Sequence, residues 1–207
     1  MMIRGIFLPL PLLNLALALA LAAGTAQAER FAIDPVHTRI AFQVSHAGFS
    51  WPVGSFSGAS GVLDFDRADW QHAHVEVSFP VSSLNLGDAN WQGKILDPTF
   101  FDAKQFPQAR FVSTKVEPTG TDTADVTGEL SLHGVTRPVL LHVKLNALAR
   151  HPMTFRRTAG FSATGTLSRK DFGMDHWANV VGDEVRLILE VEATRDRGAG
   201  ESEVETK

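Results

Sequence analysis

Apolar and polar residues alternate along most of this chain with a period of two. In 39–47, Ile40, Phe42 and Val44 alternate with Arg39, Gln43 and Ser45, and the same spacing returns over 75–81, 139–145 and 185–191. Such alternation turns one face of a strand to a core and the other to water. Turn-forming residues punctuate the pattern: Gly48, Pro52 and Gly54, the stretches 66–69 and 118–122, Gly134 and Pro138, 150–152, Gly173, and Gly182-Asp183. The chain is therefore predicted to form strands over 31–34, 38–47, 54–65, 73–83, 110–117, 124–133, 137–149, 158–169 and 184–194, and the short connections imply antiparallel pairing. A sheet of this size closes on itself or covers its edges. Closed at about eight strands, it encloses an interior that is either packed or holds one small ligand.

One stretch departs from the period. Residues 87–103 show a weak helical spacing through Trp91, Ile95 and Phe100, and Pro98 suits the first turn of a second short helix over 99–103. This segment is predicted to cross one end of the barrel before 105–107 lead back into a strand.

The two ends of the chain have other signatures. Arg4, the apolar run 6–21 and the small-residue site Ala26-Gln27-Ala28 predict a secretory signal over residues 1–28. The run falls short of the ~20 residues that span a bilayer and contains Pro9 and Pro11. No cysteine is present, which removes lipid attachment through cysteine, disulfides and thiolate metal sites. The expected layout is a signal peptide at 1–28, one β-barrel domain at 29–195 and a polar, disordered tail at 196–207 with Gly198 and Gly200. The expected location is the periplasm, with no stable membrane anchor. Formal net charge is −4, and losing 1–28 removes only Arg4 among the charged residues. A surface of that sign does not seek nucleic acid or anionic lipid heads.

Candidate chemistry is sparse. His72-Ala73-His74 places two imidazoles on one strand face but has no third ligand close in sequence, so it reads as a solvated strand start and not as a metal site. His74-Val75-Glu76 imitates a zinc-deaminase fragment, yet those enzymes need cysteines. There is no Gly-x-Ser-x-Gly elbow, His-Glu-x-x-His helix or Gly-x-Gly-x-x-Gly loop. The positive signal is aromatic: 14 Phe and 4 Trp with no Tyr. Parity applied strand by strand turns Ile40, Phe42, Val44, Val77, Phe79, Phe111, Val126, Leu130, Leu141, Val143, Phe161, Leu187 and Leu189 inward. Ordinary packing accounts for such a set. Small residues on the same faces, Gly128, Ala163 and Gly165, suggest a hollow interior, but strand glycines equally mark bulges and bends. Packed and hollow barrels both fit the pattern.

Four ordered blocks carry a family resemblance. Asp34-Pro35-Val36-His37 is followed by Phe42-x-Val44-x-His46-x-Gly48-Phe49-Ser50 and Gly54-x-Phe56. Next come Phe100-Phe101-Asp102 with Phe106-Pro107-x-Ala109-x-Phe111-x-Ser113, and Gly128-x-Leu130-x-Leu132-His133-Gly134-Val135-Thr136-x-Pro138-Val139-x-Leu141. The last is Arg169-x-Asp171-Phe172-Gly173-Met174. Together they resemble the YceI-like, lipocalin-like periplasmic proteins over about 31–193. The resemblance implies an all-β fold, an extended antiparallel barrel of about eight strands with a short helical insertion. It also implies an apolar pore for a polyisoprenoid, quinone-like or fatty-amide chain, no enzymatic activity, no cofactor beyond a bound isoprenoid or quinone, and in some members a homodimer. Phe100, Phe101, Phe172 and Met174 join the inward residues as pore lining on this reading, and His37, His46, Lys94 and Asp171 are the polar candidates for its mouth. Lys94-Ile95 stands where the family usually has His-Leu, and Phe31 where Tyr is common. Two other readings stay open: a stress-response or interaction module whose pore ligand is structural, and an enzyme acting on a bound quinone or lipid.

Overall fold

The alternating segments fold as strands, and their register explains how the sheet closes. In the computed structural model, which describes residues 28–196, the strands are β1 (Glu29–Ile33), β2 (Arg39–His46), β3 (Val53–Phe56), β4 (Ser60–Phe65), β5 (His74–Pro80), β6 (Gln108–Pro118), β7 (Thr123–Leu132), β8 (Val135–Arg150), β9 (Arg157–Ser168) and β10 (Val181–Arg195). One helix, α1 (Ala89–Leu96), lies between β5 and β6, and single 3₁₀ turns occupy Trp70–His72, Val81–Ser83 and Lys170–Phe172. The expected signal segment and tail fall, apart from Ala28 and Asp196, outside the described residues. No helix among the described residues is long and apolar enough to cross a membrane.

All ten strands form one sheet in the order β1-β4-β5-β6-β7-β8-β9-β10-β2-β3, every pair antiparallel, and β1 also pairs with β10. Strand β10 meets β1 at its C-terminal end, Ile33 opposite Ala193, and β2 along the rest, Phe42 opposite Leu187. Thus β1 and β2 share one line broken by a turn, and β3 and β4 share the next. The ten strands make an eight-stave closed barrel. Closure leaves one short edge, on β3, whose outer side is met by the isolated Ser55–Asn85 bridge.

Two expectations need correction. The predicted strand over 54–65 is interrupted: β3 and β4 are separated by 57–59, where Gly58 takes a φ of 69° that a residue in a continuous strand cannot hold. The second predicted helix, over 99–103, forms turns instead. The Phe101 amide donates to the Ile95 carbonyl at 3.1 Å, the Ala103 amide to Leu96 at 3.0 Å, and Asp102 sits at φ 43°. That left-handed residue ends any right-handed helix while Phe101 folds beneath α1 to reach Phe56, with ring centroids 5.5 Å apart and nearly perpendicular.

The antiparallel register sorts the connections between two rims. The segments 47–52, 81–107 and 169–180 gather at one rim together with the His133-Gly134 turn. At the other lie 66–73, 119–122 and 151–156. This second rim is plugged. The 3₁₀ turn at Trp70 drops its indole onto Phe65 and Phe161, at centroid distances of 4.9 and 6.3 Å, and all three side chains are buried.

Candidate functional site

The inner faces of the staves do not meet. They surround a cavity of about 570 Å³, well above the ~150 Å³ of an apolar cavity that stays dry yet admits benzene, and within the range of small-molecule pockets. Every one of the parity-assigned residues Ile40, Phe42, Val44, Val77, Phe79, Phe111, Val126, Leu130, Leu141, Val143, Phe161, Leu187 and Leu189 lines it, as do Phe100, Phe101, Ala163 and Met174. The interior is hollow. A cluster centred on Phe56 shapes its middle, with Phe42 at 5.6 Å and Phe79 at 5.0 Å between ring centroids, and the Phe65, Trp70 and Phe161 plug forms its floor.

Five of the candidate residues are placed elsewhere. Gly128 is not part of the wall: a Cβ there would lie 2.3 Å from the Phe111 ring, so the missing side chain is the space Phe111 occupies. Gly165 is covered likewise, with the Leu140 carbonyl 2.7 Å and a Leu141 methyl 3.0 Å from where its Cβ would be. The smallness of both glycines serves their neighbours rather than the cavity. Phe172 is buried in the solid core beside the cavity. Asp171, on the same 3₁₀ turn, is exposed and lies off the opening.

His37 belongs to the turn between β1 and β2, part-way along the barrel wall and away from the opening. Its Nδ1 lies 2.8 Å from Asp34 Oδ2, and Asp34 Oδ1 accepts the Val36 amide at 2.7 Å. The hydrogen bond and charge of Asp34 raise the His37 pKa. Burial opposes ionisation of Asp34, but the His37 side chain and the two turn amides outweigh it and hold the carboxyl below its ordinary value. Glu192 brings a third ligand-type oxygen within 4.8 Å of this pair, though the hydrogen bonds within the turn already account for the arrangement.

Two of the polar candidates do meet at the opening. His46 ends β2 and Lys94 rides on α1, and both line the cavity beside Trp91, Asp97, Thr99 and Trp177. The start of α1 is fixed by Asp88, whose Oδ1 accepts the Trp91 amide at 2.8 Å. Around this rim Phe49 is 92% and Trp177 61% exposed. Arg169 ties the far side of the opening together: it is buried, its Nε and Nη2 donate to the Gly182 and Val181 carbonyls at 2.8 Å each, and Nη1 donates to Met174. Desolvation lowers its pKa against the opposing charges of Asp183 and Asp175.

Several wall residues escaped the sequence reading for a common reason. Read as one strand, 54–65 sets Phe56 on the face opposite Leu63 and Phe65, whereas the break at 57–59 resets parity and turns all three inward. A register shift between Ser113 and Lys115 does the same for Val116. Trp70 and Trp177 sit in connections, where periodicity says nothing; their only signal was an apolar aromatic inside a polar stretch.

The description YceI-like domain matches residues 31–193 of this chain. A "UPF0312 protein" of Pseudomonas savastanoi pv. phaseolicola is 39% identical over 154 residues, covering 73% of this chain and 80% of that one. Among solved structures, Burkholderia cenocepacia BcnA superposes with a TM-score of 0.71 at 25% identity over 78% of this chain and 99% of its own. A structure described as a polyisoprenoid binding domain from Saccharophagus degradans, implicated in plant cell wall breakdown, shares the fold with a TM-score of 0.63 at 15% identity, covering 82% and 99% of the two chains. With the matched region running from β1 to the end of β10 and enclosing the whole cavity, the chain belongs to the YceI-like family.

Proposed function

We propose that this protein binds and carries one long apolar lipid, a polyisoprenoid, an isoprenoid quinone or a related chain, in the barrel cavity without changing it chemically, and that it does so in the periplasm. The observation that carries the reading is the hollow itself: an apolar chamber of about 570 Å³, floored at one rim and open at the other. Empty, such a wall forfeits contacts that a packed core would have. Burying a methylene is worth ~0.8 kcal/mol, so ten carbons supply on the order of 8 kcal/mol, near micromolar affinity before ordering costs. Length and apolarity then select the ligand. At the opening, Lys94 and His46 can meet a carbonyl or phosphate head. The shared fold of the Saccharophagus degradans polyisoprenoid binding domain supports the same ligand class.

Native mass spectrometry of the purified protein, followed by solvent extraction, tests the proposal. The expected result is one exchangeable lipid per chain, unmodified on release. A chain that purifies empty and takes up no added polyprenol or quinone would refute carriage, and a ligand that never exchanges would favour a structural filler.

A further inference from the structure

At the floored rim, remote from the cavity opening, four consecutive staves each end on a charged residue: β8 on Arg150, β9 on Arg157, β10 on Arg195 and β1 on Glu29. With Arg156 from the β8–β9 loop these residues alone line a second, separate cavity of about 380 Å³. Four guanidinium groups thus face one carboxylate. Glu29 is taken up by Arg157, Nε to Oε1 at 2.8 Å, and by Arg195 at 3.6 Å. The partners of Arg150 and Arg156 among the described residues are main-chain oxygens, of Phe155 at 3.3 Å and of Arg195 at 3.1 Å. Arg150 and Arg157 are also directly opposite in the β8–β9 register, a like-charge pairing that destabilises a sheet. A net acidic protein thus gathers four arginines and one glutamate as the lining of this cavity.

We infer that this rim is a binding site for a phosphate group, held by Arg150 and Arg156 against a base formed by Arg157 and Arg195. The planar guanidinium fork matches phosphate oxygens bidentately, and a dianion would offset the repulsion between the facing arginines. Two sources present that chemistry, a soluble phosphate compound and a phospholipid headgroup. The second has a structural counterpart in the loop beside the arginines, where Met153 is 83% and Phe155 67% exposed. The site does not depend on what the barrel carries.

The test uses the purified protein at low ionic strength, where screening is weak. Calorimetry is run with inorganic phosphate and pyrophosphate, and sedimentation with vesicles of phosphatidylcholine alone or mixed with phosphatidylglycerol. Saturable phosphate binding that weakens about tenfold in R150Q/R156Q and less than about twofold in R137Q, an exposed arginine near the opposite end of β8, assigns a soluble phosphate. Phosphatidylglycerol-dependent sedimentation lost in R150Q/R156Q and reduced in F155S assigns the headgroup. Ligand-free R150Q should also melt higher than the parent, and phosphate should raise the parent's Tm more than the variant's. Absence of both kinds of binding, or binding untouched by R150Q/R156Q, overturns the inference.

Discussion

At the scale of single residues, Ala163 and Gly165 show what parity can and cannot say. Both lie on the inward face of β9, two residues apart, and sequence gives them the same role. The structure separates them, because only Ala163 meets the cavity, while Gly165 lies under the Leu140 carbonyl and the Leu141 side chain. Ala163→Phe is accordingly expected to fold and to lower the bound lipid per chain, since its ring takes volume from the chamber. Gly165→Ala is expected to keep its ligand and to lose about 1–3 kcal/mol through overpacking. Thermal melts combined with lipid extraction distinguish the two, and equal lipid loss in both would mean that the wall is misassigned. His37 carries another residue-scale expectation. Its raised pKa favours the folded state below the pKa of a free histidine and stops doing so as pH rises through the folded value, while the lowered pKa of Asp34 contributes above the free carboxyl range and is lost as pH falls through its own folded value. The stability gap between the parent and His37→Gln should therefore be widest in mildly acidic solution and shrink both at more alkaline and at strongly acidic pH. A gap that is flat from pH 4 to 9 would count against the pair; measured Tm values across that range decide it.

At the scale of elements, the strands were legible because a barrel wall with one wet and one apolar face imposes period two. What remained hidden were the places where the period is reset. Strand β3 is held by a distant part of the chain, Asn85 exchanging both main-chain hydrogen bonds with Ser55, and the turns at 99–103 set Phe101 against Phe56, while nothing in the alternation marks the shift in β6. The hairpin joining β7 to β8 is the opposite case, since its signal is local. Leu132 pairs with Val135, and the two residues between them, His133 at φ 52° and Gly134 at φ 75°, both lie in the left-handed region as a type I′ turn requires. The turn also packs against Phe106, which a Cβ on Gly134 would approach to 2.5 Å. Gly134→Ala is expected to cost about 1–3 kcal/mol, more than the same exchange at Gly93, where nothing lies near the added carbon. Denaturant titration of the two variants makes the comparison, and the reverse order would mean that Phe106 yields without cost.

At the scale of the whole molecule, the barrel has a direction. One rim is floored by Trp70, Phe65 and Phe161, and the other is overlain by α1 and the 169–180 segment, with the opening between them. Sequence could predict a closed barrel and a helical crossing, but not which end the ligand uses, because the floor is completed by Trp70, an aromatic in a connection, packed on Phe65 and Phe161. If the lipid passes only through the opening beside α1, an obstruction there should slow exchange and one at the floored rim should not. The absence of cysteine makes this simple to examine, since any introduced thiol is the sole labelling site. Lys94→Cys places it on the exposed face of α1 at the opening, and Met153→Cys places it on the loop of the floored rim. After coupling each to a maleimide-linked polyethylene glycol, transfer of a fluorescent polyprenol from vesicles should slow markedly for the Lys94→Cys conjugate and stay near the unlabelled rate for the Met153→Cys conjugate. The unlabelled variants control for the substitutions themselves, Lys94→Cys above all, because removing the ammonium could alter head-group contact without any obstruction. Equal slowing of both conjugates would place the entry elsewhere, and faster transfer in the Lys94→Cys conjugate would mean that α1 restrains the ligand and that displacing it opens the chamber.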